Sequence, residues 1–592
     1  MLNMDMKKII LDNVIKAVNN TKSITWNDSI NKNVNVERPE NDNFGDYSTN
    51  VALIISKVFG GRPIDIAKDI SLELNSYDIS FEYESLTYPV FENIEAVSPG
   101  FINFKLSEVY LKYLLSGIFN QKERYGSSNE GGNKNIIIEY SAPNPNKPLH
   151  IGHARNNFLG SSLAEIYSFS GYRVIKMNYL NDWGTHICKA MLMYKKYGNN
   201  GGPDKKPDHY VGEFYVKYEK EAENNTDLDK ELGEIFQKLE NDDGETIKLW
   251  KKIVQWAYEG WEQTYKEENV DFDVWMRQSD YRKSGKEVVD LAVEKGIAER
   301  DETGAVIARL EKYNLPDKVI LRRDGTSVYA TQDIQLAIDS YDKYIFDRRI
   351  YVVDNRQSDY FKQLFKIIEL LGYKWFDKLY HLAYGVVTLP EGSMSSRKGL
   401  LASADEIFQN IKEAEKEEIY SGLERMLDKS EVVEKISLAA FRYGLLKVDP
   451  KQDVVFSIDQ TTKFEGNTGP YLLYTYARIM SVLEKAGFTQ EICDYQRLNT
   501  LKDISISAKS ILRTLNVFPE IVNISCKRNS PHFVANYLND LAQKFNAFYG
   551  EERILDIKDE TAGYFKLCLS KAVSIVLKIG LSLLKINVVE KM

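Results

Sequence analysis

Cysteine is scarce and scattered: Cys188, Cys493, Cys526 and Cys568 are the only four, and no CxxC pair exists. That excludes a disulfide framework and a four-cysteine zinc site, and it points to buried thiols in a reducing compartment. Long apolar runs are missing too. The most hydrophobic stretch, residues 572–584, is interrupted by Lys578 and is too short to cross a bilayer. The N-terminal MLNMDMKKIILDNVIKAV mixes acids and lysines into its apolar pattern, which fits an amphipathic helix and not a signal peptide. Nor is there an excess of positive charge: 77 Lys+Arg face 86 Asp+Glu, a formal net of −9. An evenly basic coat made to grip a polyanion is therefore excluded. What is present suffices for packed cores, with 43% hydrophobic residues in a chain of 592, or roughly four domains. A soluble, cytoplasmic protein is expected.

The first 120 or so residues alternate helical and strand-like patterns. Helical spacing marks 9–18 and 51–58, and alternation marks 81–106, with Pro99-Gly100 as a turn between two strands. A polar, Gly-rich segment at 125–135 marks a domain boundary. Next come a β-branched strand from Asn135, a Pro-rich loop, an amphipathic helix and a strand at 173–180. This βαβ order implies a parallel sheet with a right-handed crossover. Residues 200–300 are charged and rich in Tyr and Trp, with long helical patterns and no clear strand, so they read as a helical insertion. Strand signals return at 318–323, 349–354 and 382–389, and from about 427 onward the pattern is nearly all helical. The division expected is 1–125, 126–426 and 427–592.

The chemistry concentrates at Pro148-Leu149-His150-Ile151-Gly152-His153, between a strand and a helix. A helix N-terminus offers free N–H groups and a positive dipole end to phosphate. Histidines at i and i+3 share one face and can donate to phosphate oxygens as charge builds on phosphorus. Gly152 leaves room for a flat base. A planar guanidinium, by contrast, wants carboxylate oxygens and an aromatic face. Glu139 ends the first strand, and Tyr329 and Asp333 lie at i, i+4 on one helical face. Asn144 and Gln357 suit the amino and carboxylate ends of an amino acid.

Together, HIGH after a strand and the preceding SAPNPNKP resemble the first signature of class I aminoacyl-tRNA synthetases, and of the arginyl-tRNA synthetases in particular. The second signature of that family, a lysine-bearing KMSKS loop, is matched by Gly392-Ser393-Met394-Ser395-Ser396-Arg397-Lys398-Gly399, with serine at both lysine positions. The resemblance implies ATP contacts at His150, Gly152, His153, Met394, Ser395, Ser396, Arg397 and Lys398. Catalysis would rest on His150, His153, Lys147 and Lys398, because the departing pyrophosphate needs cations. It likewise implies arginine binding by Glu139, Asn144, Tyr329, Asp333 and Gln357. Further similarity runs through Arg323-Asp324-Gly325, through NDWGTH at 181–186, and through Phe44-Gly45-Asp46-Tyr47-Ser48-Thr49-Asn50 in an added N-terminal domain that meets the tRNA elbow.

In the C-terminal part, GNTGPYLLYTYAR at 466–478 opens a helix on which Tyr471 and Tyr474 share a face, a platform for unpaired bases. The last helical pattern places Lys571, Lys578 and Lys585 seven apart, one stripe down one side, and the sequence ends on Met592. By resemblance, Asn50, Tyr471, Tyr474 and Met592 are tRNA contacts. From Phe464 onward 16 Lys+Arg face 13 Asp+Glu, against 61 and 73 before it, so the acidity belongs to the body of the chain. The fold implied is a Rossmann-type α/β catalytic domain with an α+β N-terminal added domain and an all-α anticodon-binding domain. The activity implied is arginine–tRNA ligation by a monomer, with ATP and Mg²⁺ and without zinc, acting on L-arginine and tRNA(Arg) away from membranes. A small-molecule nucleotidylyltransferase shares HxGH but has no use for the arginine set. A tRNA-binding paralogue without catalysis shares everything except an intact second signature.

Overall fold

The computed structural model describes residues 5–21, 26–39, 41, 44–225, 227–282, 285–323, 328–390, 402–422, 429–555 and 558–592. In the N-terminal part, Met6–Asn20 buries Ile10, Val14, Ala17 and Val18, the i, i+4, i+7 stripe of an amphipathic helix. An antiparallel sheet runs Val36–Glu37, Tyr47–Thr49, Phe101–Leu106, Phe91–Val97. The last two strands are joined through the expected Pro99-Gly100 turn. Gly100 is required there, because its φ is 152° and a Cβ would come within 2.5 Å of Pro63.

The middle part is built on five parallel strands in the order Leu379–Tyr384, Arg348–Asp354, Asn135–Glu139, Arg173–Leu180, Val274–Arg277. Asn135–Glu139 is central and its Ile136, Ile137 and Ile138 are all buried, as a strand covered on both faces demands. From it the chain winds one way through the helix Ile151–Phe169 and later the other way to Arg348–Asp354. The sheet therefore has a topological switch point between Asn135–Glu139 and Arg348–Asp354, where a crevice opens beyond the carboxyl ends of the strands.

One strand expectation needs correction. The stretch 200–300 holds the helices Pro207–Ala222, Asp227–Glu240 and Gly244–Glu267, but it also contains the sheet-edge strand Val274–Arg277. At four residues, alternately half-buried and exposed, it offers no apolar run to detect. Lys318–Leu321 is a strand, but it belongs to a separate antiparallel sheet with Ala298–Arg300 and Val306–Ala308.

The C-terminal part is helical: Lys429–Leu446, Gly469–Lys485, Ile506–Arg528, His532–Glu551 and Glu560–Leu583 are its long elements. The expected lysine stripe does not reach Lys585. That residue follows the last helix at φ 58°, and its ammonium pairs with Asp271 and, at 3.6 Å, with Glu165 of the middle part. Lys585 is a clamp between modules. The FGDYSTN motif is a clamp as well. Asp46 pairs with Arg513 at 2.8 Å, and the Tyr47 hydroxyl donates to Glu520 at 2.7 Å and accepts from Asn516. Among the described residues, no helix is long and apolar enough to cross a membrane.

Arg442 joins three regions. Fully buried, it donates to the Leu584 carbonyl, the Glu268 carbonyl and the Ser161 hydroxyl at 2.9, 2.7 and 2.7 Å. Arg442→Met should strand these acceptors at about 1–3 kcal/mol each. A clearly lower midpoint in chemical denaturation is expected, and an unchanged midpoint would refute the role.

Candidate active site

A cavity of about 830 Å³ opens at the switch point. Glu139, Asn144, Lys147, His150, Gly152, His153, Tyr329, Asp333 and Gln357 all line it. Residues expected from separate stretches of sequence thus share one space, supplied by the end of the central strand, the start of the helix Ile151–Phe169, the helix Tyr329–Tyr344 and the turn after Arg348–Asp354. Met394, Ser395, Ser396, Arg397 and Lys398 lie outside the described residues, as do Ser393, Asp324 and Gly325. Beyond that stretch the chain returns beside the signature helix: Ser403 bridges His150, and Ala404 N–H donates to the Leu149 carbonyl at 2.8 Å.

The two histidines cap their own helix. His150 is the N-cap, and its Nδ1 accepts the Gly152 N–H, while His153 Nδ1 accepts the His150 N–H, both at 3.1 Å. Their rings lie 3.8 Å apart. A ring nitrogen that accepts a hydrogen bond carries no proton, so this pattern assigns the proton of each neutral ring to Nε2. Burial, with the Lys147 and Arg356 charges, lowers His150 to about 4. Burial, His150 and Lys147 hold His153 well below the ordinary range. At neutral pH the pair is two uncharged Nε2–H donors, the form suited to meeting phosphate oxygens. Burial also lowers the Lys147 ammonium below the usual lysine value.

The acidic groups are differently placed. Glu139, 6% exposed, has its Oε2 bound by the guanidinium of Arg349 from the neighbouring strand. Asp333 accepts from the Tyr360 hydroxyl. Burial pushes its carboxyl up to about 7, helped by the Glu139 charge and opposed by Tyr360, Arg349 and Lys318. Tyr329 is 47% exposed at the rim, with its ring available for stacking. The lining also includes Tyr179, whose hydroxyl is buried without a partner among the described residues.

Several of these residues escaped the sequence. Arg349 carried a weak signal, a second arginine leading into the apolar run of the strand RRIYVVD; Tyr360 and Tyr179 carried none. Asn156 and Asn178 escaped as well. Ser141 and Ala142, just after the central strand, have φ of 76° and 47°, and such left-handed residues cost about 1–3 kcal/mol each. They are held by hydrogen bonds from the Ser141 N–H to Asn156 at 2.6 Å and from the Ala142 N–H to Asn178 at 3.1 Å.

Two of the expected tRNA contacts, Tyr474 and Met592, meet in the C-terminal part, where with Arg478, Lys485, Tyr549 and Glu590 they line a groove of about 370 Å³. The Arg478 guanidinium lies 4.6 Å from the Tyr474 ring centroid and 5.1 Å from that of Tyr549. Tyr471 is outside this lining, half-buried, its hydroxyl held by Asn546 at 2.9 Å. Asn50 caps no helix with its side chain. Its amide instead accepts from the Asn35 N–H at 2.8 Å and donates to the Asn33 carbonyl at 3.2 Å.

Because His150 titrates lower folded than unfolded, the unfolded chain binds more protons between about pH 6.5 and 4, and stability falls as pH drops through that window. His150→Asn keeps a cap acceptor and should flatten the fall. Denaturation midpoints from pH 7 to 4 test this, and identical slopes in parent and variant would contradict it.

Comparison with known proteins accounts for the whole chain. The model of the class I (R) tRNA synthetase catalytic domain matches residues 114–458, that of the arginyl tRNA synthetase N-terminal domain 5–106, and that of the DALR anticodon binding domain 472–592. An arginine–tRNA ligase of Treponema denticola is 36% identical over 99% of both chains, and one of Borrelia turicatae 35% identical over 98% of this chain and 99% of its own. Among solved structures, the arginyl-tRNA synthetase of Thermus thermophilus superposes with a TM-score of 0.82 at 24% identity, covering 99% of this chain and 100% of that one. That of Plasmodium falciparum does so at 0.79 and 22%, covering 99% and 98%. A signature helix capped by its own histidines, an acid-lined pocket at the switch point and a full-length match in all three modules lead to one conclusion: the chain belongs to the class I arginyl-tRNA synthetase family.

Proposed function

We propose that this arginine–tRNA ligase carries out both of its steps at the switch-point cavity, with a definite division of labour among the lining residues. Asp333 and Glu139 receive the guanidinium of L-arginine, which stacks on Tyr329. Asn144 and Gln357 hold the amino and carboxylate ends. The substrate carboxylate attacks the α-phosphate of ATP, giving arginyl-adenylate and pyrophosphate. The Nε2–H groups of His150 and His153 donate to the phosphate oxygens that gain charge in the transition state. Lys147, with Lys398 from the second signature loop, steadies the leaving pyrophosphate, and Gly152 leaves space for the adenine. Mg²⁺ enters as the escort of the triphosphate. Asp354 in the lining is already bound by Arg356 at 2.8 Å, so the ion would be held by phosphate oxygens and water. The terminal adenosine of tRNA(Arg) then takes the arginyl group. Asn50, Tyr471, Tyr474 and Met592 are assigned to the tRNA, with the Tyr474–Met592 groove as the place for an unpaired base. The enzyme acts as a cytoplasmic monomer.

The observation that carries this reading is the convergence of guanidinium-type acids and phosphate-type donors on a single cavity. Arginine-dependent ATP–pyrophosphate exchange with tRNA(Arg) present tests it directly, and tRNA binding without exchange would overturn it. Asp333→Asn should raise the KM for arginine about tenfold or more and leave the KM for ATP unchanged; equal losses for both would make Asp333 a residue of the fold. Tyr474→Ala should weaken tRNA binding by about 1–3 kcal/mol without changing the KM for arginine. Unchanged tRNA affinity would remove the groove from the interface.

A further inference from the structure

The arginine pocket already contains a guanidinium. Arg349 is fully buried, on the strand that neighbours Glu139, and its Cα is paired in register with Ile137. One terminal nitrogen donates to Glu139 Oε2 and the other to the Leu336 carbonyl at 3.4 Å. The group packs 4.6 Å from the centroid of the Tyr351 ring, and its Nε has no partner among the described residues. A guanidinium does not give up its proton, and burying it uncompensated is costly. Glu139 is the carboxylate it contacts. That carboxylate therefore enters binding with one oxygen committed, and Oε1 is left for a ligand. Asp333 lines the same cavity and is bound by Tyr360.

We infer that Arg349 is a positioning residue for substrate recognition: it commits one oxygen of Glu139, fixes how that carboxylate is presented to the cavity, and offsets one of the pocket's two acidic charges. A substrate guanidinium then meets a fork shared between Asp333 and the second oxygen of Glu139, with the charge of Glu139 already offset by Arg349. Removing Arg349 would leave two acids facing each other and Glu139 free to turn, so arginine should bind less well while the phosphate end of the cavity is untouched. The inference rests on the reading of Glu139 and Asp333 as arginine-binding groups.

Arg349→Met and Arg349→Lys are compared with the parent in the full chain, by pyrophosphate exchange with tRNA(Arg) present and by thermal denaturation. Arg349→Met should raise the KM for arginine about 10–100-fold, with kcat and the KM for ATP unchanged. Arg349→Lys restores the charge but not the planar fork and should fall between Met and parent. An unchanged KM for arginine in a folded Arg349→Met variant, or a parallel rise in both KM values, would overturn the inference. If Arg349→Met does not fold, Arg349→Lys decides: a selective rise for arginine supports the role and no rise ends it. Asp333→Asn separates the two levels. If it leaves the KM for arginine unchanged, the pocket reading itself fails; if it raises the KM and the Arg349 variants do not, only the role of Arg349 fails.

Discussion

A carboxylate and a guanidinium are sealed between the two strands where the parallel sheet reverses its winding. Glu139 ends the central strand, Arg349 lies near the start of its neighbour, and neither is appreciably exposed. Reversal of strand order opens a crevice at this point, and crevices fill with water unless their walls are ordered. Here the wall is ordered by charge. The ion pair holds Glu139 at the floor of the cavity, Tyr360 holds Asp333 across from it, and the Asn156 and Asn178 amides hold the strained turn that follows the strand. Each of these contacts fixes a polar group before any ligand arrives, so little ordering remains to be done on binding.

The phosphate end follows the same logic with uncharged groups. A helix N-terminus leaves backbone N–H groups without partners, and one histidine meets one of them while the other meets the N–H of the cap residue itself. Capping the helix therefore also sets the tautomers of the rings. Buried beside Lys147, protonated rings would be costly, and both histidines are held neutral. On the proposed reading, the positive charge that meets a polyphosphate is that of lysine and of the helix dipole.

The sequence made the site more legible than the way the modules are joined. The βαβ pattern from Asn135 to Leu180 is local, since a short β-branched run, a proline-rich loop and an amphipathic helix are each written within a few residues. The acids lining the cavity could be expected together because a guanidinium restricts its partners to few residue types. What could not be read was set by distance along the chain. Arg349 finds Glu139 across 210 residues, and Tyr47 finds Glu520 across 473. Lys585 looked like one step of a basic stripe until the turn after the last helix carried it to Asp271. The strand Val274–Arg277 was too short and too exposed on one side to register as a strand at all. Tyr471 shares a helical face with Tyr474, yet its hydroxyl is held by Asn546, and periodicity cannot distinguish a half-buried position from an exposed one.

On the proposed reading, one cavity, with Glu139 held by Arg349 and Asp333 held by Tyr360, takes arginine and ATP end to end. A crystal structure of the full chain with L-arginine and a non-hydrolysable ATP analogue tests it most directly. The guanidinium is expected within hydrogen-bond distance of Asp333 and of Glu139 Oε1, with the Glu139–Arg349 pair intact and the triphosphate against His150, His153 and Lys147. A guanidinium bound elsewhere, or one that takes Glu139 away from Arg349, would contradict it.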